Sequence, residues 1–239
     1  MKVIDDIIAT ITEDSPVKEV RTCLFWTAVI SRKCGLASTL REDAPHHAKY
    51  PVRDAGSLTM KTARQLADYA HSTSLPEASI GMAAINSLLH IDAKRCVNKN
   101  AFDILRERGA GKKIAIIGHF PFIPALREIA GTLWVLEKRP GEDDLPEHEA
   151  ETILPQADIV GMTATTLINH SFDTLMPLCK NSFVVLLGPS TPLSPILFDY
   201  GVDVLSGIEV LDPDMVIKKI SEGANFRQME GVKLLTMIR

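Results

Sequence analysis

Hydrophobic and polar residues alternate on two different scales along the 239-residue chain, and the change falls near residue 110. Before it, VKEVRTCLFWTAVISRKCGLAS (17–38) mixes β-branched and aromatic residues with charges in near alternation. That pattern predicts two or three antiparallel strands with one wet face. SLTMKTARQLADYAHS (57–72) places Leu66 and Tyr69 three apart, with Ala63, Ala67 and Ala70 on or near the same side, and predicts an amphipathic helix. SLPEASIGMAAINSLLH (74–90) predicts a second, with Ser74 near its start and Pro76 in the first turn. The first part therefore reads as a small α+β domain.

After RERGAGKK five short apolar segments recur: KIAIIGH, LWVLEK, DIVGMT, FVVLLGPS and VDVLSG. Each is too short and too uniformly apolar for a surface helix, and most are separated by enough chain for a crossover. This is the alternation of a doubly wound, mainly parallel α/β sheet. DPDMVIKKISEG predicts a last helix capped by Asp212, started by Pro213 and stopped at Gly223, and VKLLTMIR a final strand. The predicted domains are 1–108 and 109–239.

Composition narrows the function. Hydrophobic residues make up 46% of the chain, ample for a sizeable core, and the formal net charge of -4 offers no basic excess for phosphates. No nucleic acid is expected as a partner. Acids interrupt the N-terminal apolar residues, and no apolar run approaches the ~18 residues of a membrane span. The expectation is a cytoplasmic protein with no membrane partner. Cys23, Cys34, Cys96 and Cys179 are scattered without a CxxC pair, which predicts free, largely buried thiols.

Ligands of open parallel sheets bind outside the carboxyl ends of the strands, where loops and helix N-termini converge. Gly118 can serve the first strand-to-helix turn, but Phe120 and Ile123 stand where a dinucleotide turn needs further glycines. His119 follows directly and can act as a ligand or a general acid/base. Glu137 ends the second strand, where it can accept from a ribose hydroxyl or simply face water. TATTLINHSFDTL gathers Thr163, Thr165 and Asn169 around a helix start, and GPSTPLSP places Gly188, Pro189, Ser190 and Thr191 in a stiff turn. His46 and His47 adjoin in a polar loop, where sharing one metal requires a bent backbone. GEDDLPEHEAE reads as the solvated start of a helix. No GxSxG, HExxH or Walker motif is present.

Four segments in order, IGMAAINSLL, IIGHFPFIP, LPQADIVGMTATTLINHSFDTL and LLGPSTPLSPILFDYGVDVLSGIEV, resemble the DUF364 family, with an N-terminal part similar to its companion DUF4213. The family carries a heavy-metal chelation label. The resemblance implies an enolase N-terminal-like α+β domain followed by a Rossmann-like domain, with a site in the cleft between them. It also singles out Asn86, either a hydrogen-bonded core amide or a residue facing the sheet edge across the boundary. Two functions stay open. One is a protein that binds a small polar or anionic ligand or chelates a metal complex, with a divalent transition metal as cofactor and His119 and His46 as its ligands. The other is an enzyme acting on a nucleotide-like or phosphorylated small molecule. Oligomeric state is not read from the sequence, and a homo-oligomer is compatible with it.

Overall fold

The computed structural model describes residues 1–41, 52–97 and 99–239. The chain begins with helix α1 (Lys2–Ala9), whose Val3, Ile4 and Ile7 recur at helical spacing and are buried. Strands β1 (Glu19–Thr22), β2 (Trp26–Ile30) and β3 (Cys34–Ser38) then form an antiparallel meander in that order. The amphipathic stretch at 57–72 yields a shorter helix than its spacing predicts. Thr62 and Gln65 close a reciprocal capping box, so α2 (Ala63–Ala67) starts there and tightens into a 3-10 turn over Asp68–His71. Next comes α3 (Leu75–Leu88).

α3 is not amphipathic as its sequence predicts. Every residue from Glu77 to Leu88 is buried except Asn86, which is half-buried. A helix that is apolar all round needs partners on every side. Two glycines let them come close. A Cβ on Gly35 of β3 would stand 2.0 Å from the Ala83 carbonyl oxygen, and one on Gly81 would stand 2.0 Å from the Ala70 amide nitrogen.

The rest of the chain builds one eight-stranded sheet: β4 (Cys96–Val97), β5 (Lys113–Ile117), β6 (Thr132–Glu137), β7 (Leu145–Pro146), β8 (Ile159–Thr163), β9 (Phe183–Leu187), β10 (Val204–Val210) and β11 (Val232–Ile238). The spatial order is β4-β11-β10-β9-β8-β5-β6-β7. Strands β5 to β10 run parallel, whereas β11 is antiparallel to β10, and β4 to β11. The five apolar segments are β5, β6, β8, β9 and β10. Helix α4 (Ala101–Gly109) precedes β5, and the crossovers carry α5 (Ile123–Arg127), α6 (Ala150–Ile153), α7 (Thr165–Ile168), α8 (Phe172–Leu175) and α9 (Pro213–Ser221). From β5 the chain winds outward through β6 and β7, then returns to place β8 on the other flank of β5. The order of the sheet thus reverses between β5 and β8. α9 is built as its sequence predicts, with Asp212 Oδ1 accepting from the Met215 N–H at 3.0 Å and Gly223 at φ +81°.

The wet face expected for the meander is missing from β2 and β3, and only β1 keeps exposed residues, Arg21 and Thr22. Val29 and Ala37 lie in the large core with α3, while Trp26, Ala28, Cys34 and Leu36 pack with Val216 and Ile220 of α9. The meander is therefore sandwiched between its own helix and one from the far end of the chain. Trp26 Nε1 donates to the Ala224 carbonyl at 3.0 Å, and Lys33 pairs with Glu209 at 3.2 Å. The Tyr200 hydroxyl donates to the Asp6 carboxylate. All four cysteines are free, with Cys34 and Cys179 buried, and burial pushes both of those thiols up to about 12. Among the described residues no helix is long and apolar enough to cross a membrane.

The contact between α3 and the meander has no slack. Gly35→Ala forces a methyl group into the Ala83 carbonyl and lowers unfolding free energy by about 3 kcal/mol or more, read from urea denaturation. A loss below about 1 kcal/mol would contradict this packing.

Candidate functional site

The carboxyl ends of the parallel strands open into one cavity of about 1080 Å³ at the reversal point. Its floor is the turn after β5, the end of β6 and the starts of the β8 and β9 crossovers. Its opposite wall comes from the meander and the segment after it, through Trp26, Ser38, Leu40 and Arg41. Gly118, His119, Glu137, Thr163, Thr165, Asn169, Gly188, Pro189 and Ser190 all line it. Asn86 and Thr191 are not among the lining residues. His46 lies outside the described residues.

Gly118 has φ +97°, and its N–H donates to the Leu136 carbonyl at 3.0 Å. A Cβ there would stand 2.9 Å from Thr163 Cγ2, so glycine lets the β5 turn lie against the end of β8. The hydroxyls of Thr163 and Thr165 share a hydrogen bond at 3.0 Å, and Thr166 Oγ1 donates to the Thr163 carbonyl at 2.8 Å. The threonine cluster thus satisfies much of its own capacity. Asn169 Oδ1 accepts from the Ser171 N–H at 3.1 Å and its hydroxyl at 2.7 Å, leaving the amide nitrogen without a partner among the described residues.

His119 is exposed, with 63% of its side chain accessible. Its Nδ1 lies 3.4 Å from Oδ2 of Asp144, whose side chain is only 7% exposed and also accepts from the Gly141 N–H at 3.0 Å. Asp144 belongs to the acidic stretch expected to be a solvated helix start. Instead it is buried beside β7, where it can orient an imidazole. Glu137 is half-buried, and burial pushes its carboxyl above the usual range. Asp144 and Glu147 push the same way, while the Lys138 N–H at 3.1 Å and His119 pull it back.

Further contacts of the cleft and its joint come from the tertiary fold. Phe120 stacks on Phe122 with centroids 5.1 Å apart and planes 8° apart, and Phe102 stacks on Phe122 at 5.5 Å. All three line the cavity. The Ser38 N–H donates to Ser190 Oγ at 2.8 Å, and Ser190 Oγ donates to Ser38 Oγ at 3.1 Å. Asn86 Nδ2 reaches the Leu36 carbonyl at 3.0 Å and the Ser190 carbonyl at 3.2 Å. Its amide is therefore a joint between the two sheets. Thr191 is buried, its Oγ1 without a partner among the described residues, and its carbonyl oxygen would lie 2.9 Å from a Cβ on Gly207. Among the described residues no three His, Cys, Asp or Glu side chains are grouped to hold a metal ion.

The DUF364 family pattern, described as "Putative heavy-metal chelation", matches residues 100–238. The chain belongs to the DUF364 family. The DUF4213 pattern, with the same description, matches residues 4–89. An uncharacterised protein of Methanocaldococcus jannaschii is 26% identical over 191 residues, covering 77% of this chain and 72% of its own. A DUF364 protein of unknown function from Desulfitobacterium hafniense is 27% identical, with a TM-score of 0.87 over 100% of this chain and 98% of that one. A second, from Pyrococcus horikoshii, is 20% identical with a TM-score of 0.84 over the same shares, a likeness of fold.

Two outcomes follow from the polar geometry. Folding raises the pKa of Glu137, so its effect on stability turns unfavourable as pH rises through that raised pKa. Glu137→Gln therefore raises Tm by about 2 °C at pH 7.5 and by nothing near pH 4, measured by calorimetry across pH. Ser190→Ala leaves the Ser38 N–H without its acceptor and lowers stability by about 1–3 kcal/mol in denaturant titrations.

Proposed function

We propose that this protein binds a small organic molecule in the cleft between two domains, a Rossmann-like one that supplies the strand ends and an enolase N-terminal-like one that supplies the opposite wall. The order of the parallel strands, 3-2-1-4-5-6 in sequence of appearance, supports the first assignment. The antiparallel meander followed by helices supports the second. The pairing of β4 with β11 and the packing of α4 on Ile114 and Ile116 of β5 support moving the proposed joint from 108 toward residue 90. Buried free thiols on both sides of the cleft support a reducing, cytoplasmic setting.

The observation that carries this reading is the cavity. A space of about 1080 Å³ walled by Trp26, Leu40, Phe102, Phe120, Phe122 and Phe226, with polar groups such as His119, Glu137 and Asn169 also lining it, suits an organic ligand. A bare-ion chelate fits less well, since a closed metal site takes about four protein donors and the described residues group no three. The family description is met instead by a metal complex held through its organic part. Catalysis is a second reading. It is favoured by the His119 imidazole held against a buried carboxylate beside Glu137, which retains its proton more readily than an ordinary glutamate.

Calorimetric titration of protein made without a polyhistidine tag tests the proposal. First-row divalent ions alone are expected to bind more weakly than about 10 µM, a gain below about 7 kcal/mol. Organic ligands from a thermal-shift panel are expected to raise Tm, and His119→Ala or Glu137→Ala should weaken them at least about tenfold. Tighter binding of a bare ion, indifferent to both substitutions, would refute the reading.

A further inference from the structure

Resting on the reading that the cleft takes an organic ligand, we infer that the ligand is a ribonucleoside-type molecule without a pyrophosphate, its ribose diol on Glu137 and its base beside the Phe120–Phe122 wall. Glu137 ends β6, the strand that flanks β5 on the side away from the reversal. It follows Gly118 by 19 residues. In parallel sheets of this order an acid ~20 residues past the first turn accepts from a ribose hydroxyl. Its position here meets that need. Oε2 takes the Lys138 N–H at 3.1 Å, and Oε1 has no partner among the described residues. A carboxylate half out of water gains from two hydroxyl donors at once, which is what a vicinal diol offers.

The same turn argues against a diphosphate. Close approach of a pyrophosphate needs bare backbone and a helix N-terminus with several free N–H groups. Here positions 120 and 122 carry stacked phenyl rings, Pro124 has no N–H, and α5 is five residues long. Gly118 itself is closed on one side by Thr163. Where the phosphates would lie the cavity is lined by the phenyl rings of Phe120 and Phe122, an apolar surface that suits a flat base better than a diphosphate.

Titration calorimetry on the full chain tests this with ribonucleosides, their 2′-deoxy and 3′-deoxy analogues, nucleoside diphosphates and NAD. At least one ribonucleoside is expected to bind more tightly than about 100 µM. Removing either hydroxyl should weaken it about tenfold or more, and Glu137→Gln should shrink that difference to within about threefold while keeping the cooperative melt of the parent. Diphosphates and NAD should bind no tighter than the parent nucleoside. Equal binding of deoxy analogues, or tighter binding of NAD, overturns the inference. If no ribonucleoside binds but amino acids, sugars or aromatic acids raise Tm, the nucleoside assignment fails and the organic-ligand cleft stands. If neither panel binds, both fall.

Discussion

The whole arrangement depends on burying α3 on every side. A helix with Ile80, Met82, Ala83, Ala84, Ile85 and Leu88 around its circumference cannot rest on a three-stranded meander alone, because one face would stay wet. It is covered by the meander on one flank, by the turn around Ala70 on another and by the second sheet's helices on a third. Gly35 and Gly81 are the sites where backbones must nearly touch for this to happen. His170, at φ +63°, places Nε2 2.8 Å from the Ala70 carbonyl and so ties the β8 crossover to that same turn. Once α3 is enclosed, the two sheets have no freedom to separate without exposing it.

That enclosure determines where the cleft is. Seating α3 brings the end of β3 against the loop after β9, where Ser38, Ser190 and Asn86 exchange hydrogen bonds. α9 then crosses behind the meander and buries its second face. The meander is clamped at its back and its edge, and its open end projects over the carboxyl ends of β5, β6 and β8. The cavity lies between that end of the meander and the strand ends.

What was legible in the sequence followed from local periodicity. Five buried strands announced themselves as short apolar runs, and their order of appearance with crossovers between them implied a parallel sheet. The strand-end residues were legible because a parallel sheet sends them all to one edge whatever the details. β4 and β7 were not, since a two-residue strand has no period. The second covered face of the meander was missed because Ala28 and Val216 are 188 residues apart in the chain. A polar residue between apolar ones looks the same in a solvated strand as in one whose neighbour arrives later. Asp144 reads as one acid among several, and only the tertiary fold places it beneath His119.

The completeness of their hydrogen bonds separates two kinds of polar group in this cleft. Asn86, Ser38, Ser190 and His170 bond between the meander or its helices and the loops of the larger sheet, and removing them would weaken the joint. Glu137, His119 and Asn169 each keep an atom with no partner among the described residues, and Glu137 is held where burial opposes its charge. Folding alone would favour a glutamine or an apolar side chain at that position. Glu137, His119 and Asn169 all line the cavity, and a half-buried carboxyl with an unpartnered oxygen is a candidate binding group there. The open atoms of these three groups are not the atoms that hold the joint, even where the residues adjoin, as Asn169 adjoins His170. Glu137 bonds only its own neighbour Lys138 among the described residues, so a change there leaves the enclosure of α3 intact.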